Sequence, residues 1–203
     1  MFNKLNKIKK IRKNIISEDI PPGQFITEKF PALTFGKIPN IDIEKWELKI
    51  TGNINFPFTL NWTNIQEYKM VKTVSPFHCI TQWSRLVNHW EGIPFKKIYE
   101  LAKPKPEANY VMIYSYGGYS TNLDLETLLK ENVILAHFHE GSVISPEHGY
   151  PLRLVVPDRY GWKSAKWVNK IEFINNNLPG FWESRGYHMN GDYWKEERFS
   201  ETD

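Results

Sequence analysis

No hydrophobic period lasts long in this chain. Short apolar runs follow one another, some alternating as strands do and some spaced as helices are, with proline or glycine closing many of them. WELKITG (46–52) alternates large and charged residues and ends on Gly52, which predicts a strand, and NWTNIQEYKM predicts a short helix capped by Asn61. KTVSPFHC reads as an extended stretch that leaves Cys79 at a strand-to-loop junction. In IPFKKIYELAKP (93–104), Ile93, Lys96, Lys97, Ile98 and Leu101 stand at helical spacing with Pro94 near the first turn. NYVMIYSYGGYS (109–120) predicts β-structure broken at Gly117 and Gly118, DLETLLK a helix with Asp124 as its cap, and NVILAHFHEG a buried strand. YPLRLVVP and KWVNKIEFI predict two more strands bridged by the polar turn DRYGWKSA. With neither an internal repeat nor a doubly wound strand-helix-strand rhythm, the pattern is α+β: mixed β-sheets with short helices.

A chain of 203 residues is long enough to bury one substantial core, and its 15% aromatic content, with eight tryptophans, points to tight packing. The expected organisation is a basic lead over residues 1–20 followed by a single domain over 21–203. PPGQFITEKFPALTFGKIP (21–39) breaks every apolar run and predicts an extended segment lying on the rest. The net charge is +3, and Lys4, Lys7, Lys9, Lys10, Arg12 and Lys13 precede the first acidic residue, Glu18. The body is therefore close to neutral, so the lead reads as a solvated tail before it reads as a contact for nucleic acid, anionic lipid or an acidic partner, and no nucleic-acid partner is expected; a non-catalytic nucleic-acid or partner-binding module using this lead is the alternative function. No apolar run reaches the roughly 20 residues of a membrane span, and neither a secretory h-region nor a twin-arginine pair occurs; a cytoplasmic protein is expected.

The one cysteine, in FHCITQW, excludes an internal disulfide and a zinc site of several thiolates. Three readings stay open for Cys79: a buried structural thiol, the nucleophile of a Cys-His hydrolase or transferase, or a thiolate ligand to a soft or redox-active metal. His78 is its neighbour, but adjacent residues on an extended strand point to opposite faces. His137 and His139 share one side of a predicted strand and, with Glu140 or Glu147, form a possible metal set; His148 is a further candidate base. In GYPLRLVVPDRYGWKSAKWV (149–168), Arg153, Arg159, Lys163 and Lys166 surround a glycine turn between strands, a pattern that suits a phosphate or other oxyanion as well as a solvated hairpin.

FHCITQWS, WEGIPFKKI, NYVMIYSYGGYSTNL, PEHGYPLRLVVPDRYGWKSAKWV and GFWESRGYHMNGDYWKEERFS together resemble the sulfite oxidase family of molybdopterin-dependent oxidoreductases, above all its short single-domain members. The likeness runs from Pro21 to Ser200. It implies a molybdopterin-binding fold, a molybdenum-molybdopterin cofactor, and Cys79 as both the catalytic residue and the thiolate ligand to the metal. It further implies cofactor contacts from Ser115, from His148 against the pterin, from Arg153 near the phosphate, from Ser164, Ala165 and Lys166 in a phosphate-wrapping turn, and from Leu33 and Thr34 in the stretch lying over the cofactor. Beyond what the resemblance implies, His78, Arg85 or His139 is a candidate to line the substrate pocket. The activity implied is two-electron oxygen-atom transfer on a small oxyanion or an S- or N-oxide. EKFPALTFG lacks the arginine, asparagine and histidine cluster with which animal and plant sulfite oxidases hold sulfite, so sulfite does not carry over. The chain has no haem-binding domain either, which implies a small-molecule substrate and an external electron donor or acceptor protein.

Overall fold

The computed structural model describes residues 20–200, and nearly all of the basic lead lies outside that range. Eleven strands fall into two sheets: β1 (Phe25–Ile26), β2 (Glu47–Gly52), β3 (Phe58–Asn61), β4 (Val71–His78), β5 (Trp83–Pro94), β6 (Tyr110–Ser115), β7 (Ser120–Asp124), β8 (Ile134–His139), β9 (Ser142–Val143), β10 (Arg153–Val155) and β11 (Val168–Ile174). Three short helices interrupt them: α1 (Trp62–Glu67), α2 (Phe95–Ala102) and α3 (Leu125–Leu128).

One sheet runs β3-β2-β11-β6-β7, with β2 and β11 parallel and the other pairs antiparallel. The second runs β1-β5-β8-β10, with β4 also pairing β5 and β9 also pairing β8. Alternation explains the first sheet: Leu48 and Ile50 of β2 and Val168, Ile171 and Phe173 of β11 are buried while their neighbours are more exposed. In β8 the residues from Ile134 to His137 are all buried, because Leu135 faces the core shared by the two sheets while Ile134 and Ala136 pack on its other face with Trp90 and Val155.

The helix caps follow the sequence. Asn61 and Asn64 exchange side-chain and backbone hydrogen bonds at the start of α1, and the Asp124 carboxylate accepts from the Thr127 amide at the start of α3. Three expectations change. The helix expected from Ile93 begins at Phe95, since Ile93 and Pro94 complete β5 opposite Leu135 and Ile134. TQWSRLVNHWEG, whose sequence shows no clean period, forms most of β5, the longest strand among the described residues; the alternation is lost because the strand bends, with a register break between Glu91 and Gly92. A Cβ on Gly92 would lie 2.1 Å from the Leu135 carbonyl oxygen, so only glycine permits that approach. Finally, β10 and β11 are not a hairpin. β10 pairs β8 in one sheet and β11 lies between β2 and β6 in the other, so residues 156–167 cross from sheet to sheet. Among the described residues no helix is long and apolar enough to cross a membrane.

Candidate active site

β4 and β5 are connected by Cys79 and, after it, the three-residue turn Ile80-Thr81-Gln82. Its backbone closes through Gln82 N–H to the Cys79 carbonyl (3.0 Å) and Cys79 N–H to the Trp83 carbonyl (2.9 Å), with Gln82 in the left-handed region at φ 74°. This is a tight turn followed by a left-handed residue, a common hairpin solution. It sets Cys79 at the last position before the turn, as the sequence predicts. Two distant side chains hold the loop from outside: Gln24 Nε2 donates to the Cys79 carbonyl (3.1 Å) and Arg198 Nη1 to the Ile80 carbonyl (2.8 Å). The Cys79 sulfur is 3.1 Å from the Thr81 hydroxyl. His78 turns the other way; its Nδ1 shares a 2.8 Å hydrogen bond with Ser84 Oγ, its ring lies 4.0 Å from Tyr193, and burial lowers its pKa to about 4. It is a neutral packing residue, not a base for the thiol.

Above this turn lies a cavity of about 220 Å³. It gathers Cys79, Leu33, Thr34, His148, Arg153, Ser164, Ala165 and Lys166 from segments far apart in the chain. The N-terminal stretch forms one wall and the crossing between the sheets another, which is why the absence of a β10–β11 hairpin matters. Gly149, at φ 117°, lets the 146–149 turn close on this wall: a Cβ there would meet Arg153 Cβ at 2.9 Å and Lys166 Cβ at 3.1 Å.

Two cations face the cavity. Arg153 is buried, with its guanidinium 5.2–5.8 Å from the ring centres of Trp90, Phe77 and Phe30; Nη1 donates to the His148 carbonyl (3.0 Å) and Nη2 to that of Ser164 (3.1 Å). Its Nε is buried without a hydrogen-bond partner. Lys166 Nζ donates to the carbonyls of Leu33 (2.8 Å) and Glu147 (2.9 Å). These acceptors are neutral. Burial pushes the Arg153 pKa down to about 9, and burial together with the Arg153 charge pushes Lys166 down to about 7. The Glu147 carboxylate offsets this only in part at Lys166, and the pair favours an anion. His148 is also pushed down, by burial and then by Arg153.

Other predicted residues go elsewhere. Ser115 is buried at the end of β6, opposite Val168, with its hydroxyl unpartnered, and is not among the residues lining this cavity. The Ser164 backbone N–H is used within its own turn, by the Gly161 carbonyl, and its hydroxyl accepts from Val156 N–H. Arg159 turns to Thr127 and Asp124. Lys163 is fully buried and faces Glu183 at 2.7 Å, so the basic turn is neither a solvated hairpin nor a four-cation cradle. Arg85 and His139 form a separate network with Asn88 and Glu140, and neither lines the cavity. The Phe30 ring stands between that network and the cavity, 4.9 Å from His139 on one side and 4.9 Å from His148 on the other. His137 bonds the Pro151 carbonyl, and among the described residues no group of three or more His, Cys, Asp or Glu is placed to hold a metal ion. The aromatic lining, which includes Phe30, Trp83, Trp162, Trp182 and Tyr187, was not singled out from sequence; aromatic density signals packing and not which rings converge.

Residues 35–182 match the oxidoreductase molybdopterin binding domain. The chain belongs to that family. The uncharacterized oxidoreductase YuiH of Bacillus subtilis (strain 168) is 42% identical over 192 residues, covering 94% of this chain and 97% of that protein. MsrP of Campylobacter jejuni, a protein-methionine-sulfoxide reductase catalytic subunit, is 29% identical over 178 residues; the match covers 79% of this chain and only 59% of that relative. The sulfane dehydrogenase SoxCD of Paracoccus pantotrophus superimposes with a TM-score of 0.63 at 21% identity, covering 68% of this chain and 40% of that one, a likeness of fold. Molybdopterin with its molybdenum is the cofactor of this domain. The cavity suits it: a single thiol needs other sulfur donors to complete a soft-metal site, and the two cations suit an anionic group.

Proposed function

We propose that the protein carries out two-electron oxygen-atom transfer on a neutral S-oxide, with Cys79 as the protein's thiolate ligand to molybdenum. The observation that carries this reading is the sharing of one cavity by the Cys79 sulfur and the Arg153–Lys166 pair. The cofactor, when bound, supplies the metal that accepts and releases the oxygen atom and the electrons. The chain supplies position and charge. Arg153 and Lys166 would face the pterin's phosphate, and His148 and Ala165 would border the cofactor. Lys166, which already reaches the Leu33 carbonyl, would keep the N-terminal stretch over it. Apart from Arg153, Lys166 and His148 the lining, which includes Ile80, Thr81, Trp182 and Tyr187, is uncharged and largely apolar or aromatic, and such a wall suits a thioether oxide. The methionine-sulfoxide reductases among the relatives support that preference. A separate electron donor would deliver the electrons.

Protein purified from a molybdate-supplied host should contain molybdenum and pterin together. The Cys79→Ser variant should keep its fold and lose turnover of sulfoxides; unaltered turnover contradicts the ligand assignment. Turnover of sulfite with none of any sulfoxide would overturn the substrate class.

A further inference from the structure

The three-residue turn that positions Cys79 also directs a hydroxyl at its sulfur. Thr81 is the second residue of the loop, and its Oγ1 lies 3.1 Å from Cys79 Sγ. Either atom of a thiol–hydroxyl pair can donate, but a thiolate only accepts, so once Cys79 is a metal ligand the Thr81 O–H must be the donor. Thr81 is an exposed residue, but its backbone is held by the two hydrogen bonds that close the turn and by the Gln24 and Arg198 contacts to the Cys79 and Ile80 carbonyls, so the loop keeps its hydroxyl within reach of the sulfur. The same cavity is lined by the apolar Ile80 and the aromatic Trp182 and Tyr187. A hydrogen bond to a ligating sulfur draws electron density from the metal–sulfur bond and favours the reduced metal, which raises its potential.

We infer that Thr81 is a positioning residue whose hydroxyl hydrogen-bonds the Cys79 thiolate and tunes the potential of the metal bound there. The inference rests on the reading of Cys79 as ligand, and the test separates the two. Purified wild type, Thr81→Ser, Thr81→Val and Thr81→Ala are compared for molybdenum content and for the midpoint potential of the molybdenum(V) signal in an electron paramagnetic resonance titration. Thr81→Val keeps the shape and removes the donor; Thr81→Ser keeps the donor. The expected result is a shift to more negative potential in Thr81→Val and Thr81→Ala at unchanged metal content, with Thr81→Ser near wild type. A potential unchanged in fully loaded Thr81→Val, or Thr81→Ser shifted as far as Thr81→Val, overturns the inference while leaving the ligand intact. Wild-type protein without molybdenum, or a Cys79→Ser variant with an unaltered signal, overturns the ligand reading and the tuning with it.

Discussion

Lys163 and Glu183 offer the sharpest test of how the cavity wall is held. Both side chains are completely buried and their charged atoms are 2.7 Å apart. Lys163 Nζ also donates to the Asn122 carbonyl (3.0 Å), Asn122 Oδ1 (2.8 Å) and the Met189 carbonyl (2.6 Å), while Glu183 Oε1 accepts from Thr121 Oγ1 and Trp162 Nε1. The pair therefore ties the segment carrying Trp182 and Tyr187 to β7 and to the crossing at Trp162. Burial lowers the Lys163 pKa to about 8 even with Glu183 opposing the shift. Glu183→Gln keeps the volume and the neutral hydrogen bonds but leaves a buried ammonium uncompensated, which costs about 3–5 kcal/mol. For a domain of this size that lowers Tm by roughly 6–20 °C. Thermal unfolding followed by circular dichroism on the cofactor-free protein measures it. A double variant, Lys163→Met with Glu183→Leu, should recover much of the loss, because the desolvation cost of both charges disappears. A Glu183→Gln protein within about 1 kcal/mol of wild type, or a double variant no better than the worse single one, would refute the assignment of a mutually dependent buried pair.

Lys166 makes a pH prediction. Its pKa in the fold, about 7, lies below the ordinary lysine value of 10.5, so between those limits the unfolded chain binds the extra proton. The cofactor-free protein should therefore gain stability as pH rises through that window, and Lys166→Met should flatten the slope in chemical denaturation measured at several pH values. Arg153→Lys preserves charge but cannot span the His148 and Ser164 carbonyls, so it should bind pterin roughly tenfold or more weakly, for a loss of at least about 1.5 kcal/mol, and retain less of it, as read by fluorescence of the released cofactor.

Much of the fold was legible because its signals are local. Alternation in WELKITG and KWVNKIEFI, the Asn61 and Asp124 caps, and the Gly117-Gly118 break each depend on a few neighbouring residues. β5 escaped because its surroundings change along its length: β4 pairs it from Ser84 to Gly92, while β1 pairs it at Trp83 and Ser84 and β8 from Trp90 to Pro94, so no single period describes it. The site was partly legible for the same reason. The spacing of Arg153, Lys163 and Lys166 marked a basic turn, but only the crossing between sheets turns Arg153 and Lys166 into the cavity and Lys163 away from it.

By itself the sequence determined that a lone thiol stands at a strand end, that the body is nearly neutral, and that short strands and helices would build an α+β domain. Those follow from residue type and short-range spacing. Tertiary structure decided which side chains share the space above Cys79: Leu33 and Lys166 meet across 133 positions of chain, and Phe30 separates His148 from the Arg85–His139 network. No local pattern encodes such meetings, because they depend on how two sheets join and on which face of each buried segment the shared core leaves free.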